Sequence, residues 1–199
     1  MEAAAAVSRL AVFGYGSLVS AKSAGETLRR EVGRPQPARL EGYRRCWTLA
    51  RDNHRSEKTF ALADGTLPSH CLGLNLEPDR DGPAPNGGLL ELTVAELERL
   101  DLREIRYRRL DVTGAVTTDG AGGFEAVYAY TARPAHHRPT PPPGTVLIAS
   151  YLRAVEAAFA ELGPGELERF RATTAVPGVE VVEARLVRDA IPPGNPRAW

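Results

Sequence analysis

A glycine-rich segment close to the N-terminus could bind an anion. It reads Phe13-Gly14-Tyr15-Gly16-Ser17-Leu18 and follows a short apolar run that is typical of a β-strand. Two glycines allow successive backbone N–H groups to converge on a carboxylate or a phosphate, and the Ser17 hydroxyl is a further donor. We expect a positive φ at Gly16. The spacing alone favours a simpler interpretation, a strand that ends in a tight turn, because short glycine patterns are weak evidence.

A second segment could supply a general base. Residues 100–109 contain two carboxylates and four arginines where a predicted helix meets a predicted strand. Glu104 lies close to the apolar residues Leu102 and Ile105, and an apolar pocket would raise the pKa of its carboxyl group, as proton transfer near neutral pH requires. The alternative is a solvated surface of ion pairs, and the sequence alone favours it.

The remaining reactive side chains predict no metal site and no cofactor. His136 and His137 lie in a proline-rich segment without acidic or cysteine partners at metal-ligand spacing. Cys46 and Cys71 are too few for a disulfide framework, and nothing marks either one as the nucleophile of a Cys/His hydrolase. The glycine segment lacks both the serine of a nucleophile elbow and the third glycine of a dinucleotide-binding motif.

Short strands with a few interspersed helices must position these residues. The Thr93/Glu96 spacing is a capping box that begins a helix ending near Asp101, and apolar residues repeat with helical spacing from Ile148 to Leu162. We expect strands over residues 10–15, 42–49, 70–76, 88–92, 107–112, 125–131 and 179–187, and a short helix over residues 20–30. This order predicts an α+β fold, a small mixed β-barrel with surrounding helices.

Length and composition restrict the class of protein. The chain has 199 residues, 43% of them hydrophobic, which favours a single domain over residues 1–199, with a core over about 10–187 and a proline-rich C-terminal tail. Lys+Arg and Asp+Glu both number 25, and this balance argues against a nucleic-acid partner. No apolar run is long enough to cross a membrane. With two cysteines, we expect a cytoplasmic protein that acts on a small molecule; the oligomeric state is not predicted.

Together these segments resemble the gamma-glutamylcyclotransferase-like superfamily. The resemblance is carried by residues 12–18, 42–47, 92–97, 100–104, 107–109 and 150–152. It implies a mixed β-barrel around one pocket, in which Glu104 is the catalytic acid and base. It also implies that Tyr15, Gly16, Ser17 and Leu18 hold the carboxylate end of a gamma-glutamyl substrate, with Tyr107 and Tyr151 lining the pocket.

The implied reaction releases 5-oxoproline from a gamma-glutamyl amine or peptide. The substrate's own α-amine attacks its γ-carbonyl, and bringing the two ends together lowers much of the barrier. Two alternatives remain: cleavage of a gamma-glutamyl-protected biosynthetic intermediate, and a non-catalytic domain of the same fold that binds a small metabolite. The position of Glu104 distinguishes an enzyme from a binding domain, because a binding domain has no need of an acid beside the glycine loop.

Overall fold

The computed structural model describes residues 9–120 and 123–196. The predicted domain, residues 1–199, therefore extends beyond the described residues at both ends. The strands are β1 (Leu10–Gly14), β2 (Gln36–Leu40), β3 (Tyr43–Asp52), β4 (Lys58–Ala61), β5 (His70–Pro78), β6 (Asn86–Leu92), β7 (Tyr107–Asp111), β8 (Val116–Thr117), β9 (Ala126–Ala132), β10 (Thr145–Ile148), β11 (Val181–Val182) and β12 (Arg185–Asp189). The α-helices are α1 (Ala21–Leu28), α2 (Val94–Arg103), α3 (Ala149–Leu162) and α4 (Glu166–Ala172). No helix in the described ranges is long and apolar enough to cross a membrane.

The strand β1 lies in the middle of a six-stranded sheet with the order β7-β9-β1-β6-β2-β8. It pairs antiparallel with β6 and parallel with β9. Its side chains alternate between two apolar layers: Ala11 and Phe13 face the main core, whereas Val12 packs in a second cluster with residues of α1 and α2. A strand buried on both faces needs a continuous apolar run, and residues 10–15 supply it.

A second sheet, with the order β11-β10-β5-β3, faces the first across the main core. Leu72, Leu74 and Leu76 of β5 belong to that core and are at most 3% exposed. A separate pair, β4 and β12, extends the wall. The sheets form a curled half-barrel with helices around it, which confirms the predicted α+β class.

The two longer helices follow the local signals in the sequence. Thr93 and Glu96 form the expected capping box at the start of α2, although this helix continues to Arg103, two residues beyond the predicted end. The helix α3 buries Val155, Phe159 and Leu162, as the apolar repeat predicts.

Several elements were not predicted. The strand β2 contains a proline and no β-branched residue, and β4 follows a polar loop; pairing with β6 and β12 forms them. The helix α4 begins immediately after Gly163-Pro164-Gly165, which indicates a turn in the sequence. The expected strand over residues 179–187 is two separate strands, β11 and β12.

Candidate active site

Two adjoining cavities contain all the residues that the sequence singled out for binding and catalysis. The inner cavity, of about 40 Å³, is lined by Tyr15, Gly16, Ser17, Leu18, Glu104, Tyr107 and Tyr151, together with four other residues. The outer cavity has a volume of about 420 Å³. Four of the residues named above also line it, namely Ser17, Glu104, Tyr107 and Tyr151. The structure therefore brings together residues that lie up to 136 positions apart in the chain.

Close packing, and not a positive φ, accounts for the two glycines of the loop that lines the inner cavity. Gly16 has a φ of −147°, so the expectation of a left-handed glycine there is wrong. A Cβ atom on Gly14 would lie 3.1 Å from Leu18, and one on Gly16 would lie 3.2 Å from Leu74 Cδ1. The chain bends at Gly16, with a ψ of −131°, and enters a single 3-10 turn over Ser17–Val19. The lack of side chains on the two glycines leaves room for a ligand.

Glu104 occupies the C-terminal end of α2, where the helix turns into β7. Its backbone N–H donates to Leu100 O at 2.8 Å, and its carbonyl accepts from Tyr107 N–H at 2.8 Å. These bonds direct the side chain into both cavities, and only 15% of it is exposed. Burial raises the pKa of the Glu104 carboxyl above its ordinary value, although the neighbouring charge of Arg103 opposes the shift.

The alternative interpretation of this segment, a solvated surface of ion pairs, holds for part of it. Asp101 pairs with Arg109 at 2.9 Å, and both side chains are well exposed, at 40% and 37%. Glu104 differs from Asp101, because its position at the end of α2 places its side chain at the two cavities. The segment therefore has one exposed ion pair and one buried carboxylate.

Arg103 connects Glu104 to the glycine loop, and sequence reasoning missed it. Its Nε lies 3.0 Å from Glu104 Oε1, while Nη2 donates to Ser17 Oγ at 3.0 Å and Nη1 to Thr27 Oγ1 at 2.7 Å. Its side chain is 1% exposed. The signal was present, because Arg103 continues the i, i+3 repeat of the buried residues Leu97 and Leu100 on α2.

A bulge in the second sheet supplies backbone groups to two of the tyrosines. The β3–β5 register shifts between Cys46 and Leu49, opposite Leu74, and such a shift releases backbone groups from the ladder. Tyr107 donates its hydroxyl proton to Leu74 O at 2.8 Å, and the neighbouring Leu74 backbone opposes the rise in the pKa of Tyr151. The backbone of Leu74 thus lies beside both tyrosines.

The tyrosine hydroxyls of the inner cavity are protonated at neutral pH. Burial raises the pKa of Tyr151 to about 12 and holds those of Tyr15 and Tyr107 well above their ordinary value. Tyr15 donates its proton to Tyr130 O at 2.6 Å, as Tyr107 does to Leu74. Tyr151 lines both cavities, and none of the hydrogen bonds found among the described residues uses its hydroxyl proton.

The site shows no sign of metal or thiol chemistry in the ranges described. No group of three or more His, Cys, Asp or Glu residues there could hold a metal ion. Cys71 lines the outer cavity, and burial raises the pKa of its thiol, but no described histidine lines either cavity. A cysteine nucleophile without a base is a poor candidate, so Glu104 is the group suited to proton transfer.

Comparison with solved structures shows the same fold in proteins of low sequence identity. A gamma-glutamyl cyclotransferase superposes with a TM-score of 0.57 at 17% identity, over 88% of this chain and 94% of its own. An uncharacterised human protein gives 0.53 at 16% identity, over 86% and 90%. YkqA from Bacillus subtilis gives 0.54 at 18% identity, over 82% of this chain. This chain spans about half of YkqA, 53% of its length.

No protein-family model and no curated protein matches the sequence. The structural likeness is therefore one of fold. The chain has the gamma-glutamyl cyclotransferase-like fold that the sequence motifs implied.

Proposed function

We propose that this protein is a cyclotransferase that releases 5-oxoproline from a gamma-glutamyl amine or peptide. One observation carries the proposal: Glu104, a buried carboxyl with a raised pKa, lines the cavity formed by the glycine loop. Arg103 joins the two, with contacts of 3.0 Å to Glu104 and to Ser17. A solved structure of the same fold is named as a gamma-glutamyl cyclotransferase.

In this proposal the inner cavity holds the carboxylate end of the glutamyl group. Its volume of about 40 Å³ corresponds to about three water-sized positions, the number of heavy atoms in a carboxylate. The first N–H groups of the 3-10 turn at Ser17 have no partner within the turn, and Arg103 adds a positive charge next to the loop. The α-carboxylate would lie here, with the glutamyl side chain directed to the outer cavity.

Glu104 would move the protons of the reaction. As the carboxylate, it accepts a proton from the α-ammonium group, and the freed amine attacks the γ-carbonyl carbon. A bond forms between the α-nitrogen and this carbon, and the bond from the carbon to the leaving nitrogen breaks. Glu104 returns this proton to the leaving nitrogen, then takes the second proton of the attacking nitrogen and passes it to the departing amine. The products are therefore 5-oxoproline and a protonated amine. A raised pKa suits a group that must both accept and donate near neutral pH.

Tyr151 would stabilise the negative charge that develops on the carbonyl oxygen. Its ring packs edge-on against Trp47, with the ring centroids 6.3 Å apart, in the wall shared by the two cavities. A fixed donor of this kind lowers the barrier because it needs no reorganisation during the reaction.

The test is a screen of gamma-glutamyl compounds, namely glutathione, gamma-glutamyl dipeptides and gamma-glutamyl amines, with 5-oxoproline detected by mass spectrometry. We expect turnover by the wild type and its loss in Glu104→Gln. A gamma-glutamyl-protected biosynthetic intermediate as substrate would give the same product, so it is included in the screen. Binding of these compounds without turnover would favour the non-catalytic metabolite-binding domain.

A further inference from the structure

The outer cavity has an apolar wall of residues that do not line the inner cavity. Its volume of about 420 Å³ lies within the usual range of small-molecule sites, about 300–1,000 Å³. The wall includes Phe60 of β4, Leu186 of β12 and Ile191 of the segment that follows. The β4–β12 pair is therefore the part of the fold that would meet the leaving group.

The cations of this cavity differ in their partners. Arg106 forms a two-point ion pair with Glu57, at 2.6 and 3.0 Å, and Lys58 lies 3.8 Å from Asp189. Arg103 forms a third ion pair, with its Nε 3.0 Å from Glu104 Oε1. These three positive charges are already matched by carboxylates.

Arg51 is the exception. Its guanidinium donates to Ser56 Oγ at 2.6 Å and to the carbonyl of Lys58, both neutral acceptors. Its Cζ lies 5.3 Å from the centroid of the Phe60 ring, within cation–π range of the apolar wall. No carboxylate within residues 9–120 and 123–196 pairs with it. A half-buried guanidinium in a cavity, with only neutral partners, favours an anionic ligand.

We infer that Arg51 is a specificity-determining residue that binds a carboxylate on the leaving group. The apolar wall next to it would take a bulky apolar side chain on the same group. This inference rests on the proposed function, and it narrows the substrate class to gamma-glutamyl conjugates of large apolar amino acids with a free carboxylate. Gamma-glutamyl conjugates of simple amines lack the carboxylate and are poorer substrates.

The experiment compares gamma-glutamyl-phenylalanine with gamma-glutamyl-phenylalaninamide, which differs only in the charge of the carboxyl group. We expect kcat/KM of the wild type to be about 10- to 100-fold higher for the free acid, as for hydrogen bonds to a charged group. Arg51→Gln lowers kcat/KM for the free acid by about that factor and lowers it much less for the amide, so the ratio of the two falls toward one. Arg51→Lys keeps the positive charge and should retain part of the preference for the free acid. Activity of this variant also shows that loss of the guanidinium does not unfold the protein.

The matched control is Arg55→Gln, which removes the same charge from an exposed residue of the same loop that lines neither cavity. It should leave both kcat/KM values within about twofold of the wild type. Equal turnover of acid and amide by the wild type would overturn the inference, as would an equal fall for both substrates in Arg51→Gln.

A binding measurement separates this inference from the proposed reaction. N-acetylphenylalanine reproduces the leaving half of the substrate, and its binding is measured by calorimetry against that of its amide. Tighter binding of the acid that disappears in Arg51→Gln supports the carboxylate site, even where no 5-oxoproline is formed by the wild type. Equal binding of the acid and the amide overturns the site, whatever the activity.

Discussion

The replacement Glu104→Gln tests two consequences of burying this carboxyl group, namely its role in proton transfer and its effect on the pH dependence of stability. Glutamine keeps the size of the side chain and can still accept a hydrogen bond from Arg103, which lies 3.0 Å away, but it cannot take up a proton. A positioned acid or base contributes about 10²–10⁴-fold to the rate. We therefore expect kcat to fall by that factor, with a much smaller change in KM because the binding contacts remain.

The same replacement should remove a pH dependence from the stability of the fold. Folding raises the pKa of Glu104, so the contribution of this group to stability is complete below the ordinary carboxyl value of 4.5 and is lost as the pH rises through the folded-state value. Glutamine does not ionise, so the variant should gain stability relative to the wild type as the pH rises from about 4 to about 8. At both pH values its stability also includes the cost of leaving the Arg103 guanidinium buried without a carboxylate.

Both effects are measured on the same preparations, by 5-oxoproline release and by thermal unfolding at pH 4 and pH 8. The control is Glu98→Gln on the exposed face of α2, which removes a charge from the same helix and should change neither quantity. A Glu104→Gln variant that retains nearly wild-type kcat would refute the assignment of the proton-transfer role. A difference in melting temperature between the variant and the wild type that is the same at pH 4 and pH 8 would refute the account of its raised pKa.

Three further predictions follow from individual contacts. Gly16→Ala places a Cβ atom 3.2 Å from Leu74 Cδ1, at the inner cavity, so KM should rise about tenfold or more, an order-of-magnitude expectation for a displaced bound group, while the far-UV spectrum stays unchanged. Arg103→Met leaves Glu104 buried without its ion partner, which should lower the free energy of unfolding by about 3–5 kcal/mol in urea titrations; Arg108→Met, an exposed control, should change it by less than about 0.5 kcal/mol. Burial opposes the ionisation of Glu77, but hydrogen bonds from a hydroxyl, an imidazole and a guanidinium lower its pKa to about 2. Glu77 therefore stabilises the fold above pH 4.5, and the deficit of Glu77→Gln at pH 7 should shrink as the pH falls toward 2; a deficit that is constant with pH would contradict this.

Much of the fold could be predicted from local patterns. The capping box at Thr93 and the apolar repeat of α3 depend on neighbours within a few residues, and both helices begin where these patterns indicate. The run over residues 10–15 likewise indicated β1. The strand β2 and the helix α4 were missed, because pairing with β6 and burial of Glu166 beneath Arg39 and Asn86 stabilise them.

The sequence by itself made Glu104 and the glycine loop candidates for chemistry, and the resemblance to a known family implied their roles. It did not determine whether Glu104 is buried, because the same segment also forms the exposed pair of Asp101 and Arg109. The direction of each side chain depends on where α2 ends against the sheet, which is a property of the packed fold. Two features needed the tertiary structure entirely: the link from Arg103 to Ser17, 86 residues away, and the guanidinium of Arg51 against the apolar wall. Contacts between distant segments leave no local pattern, since their energy arises only when packing brings the partners together.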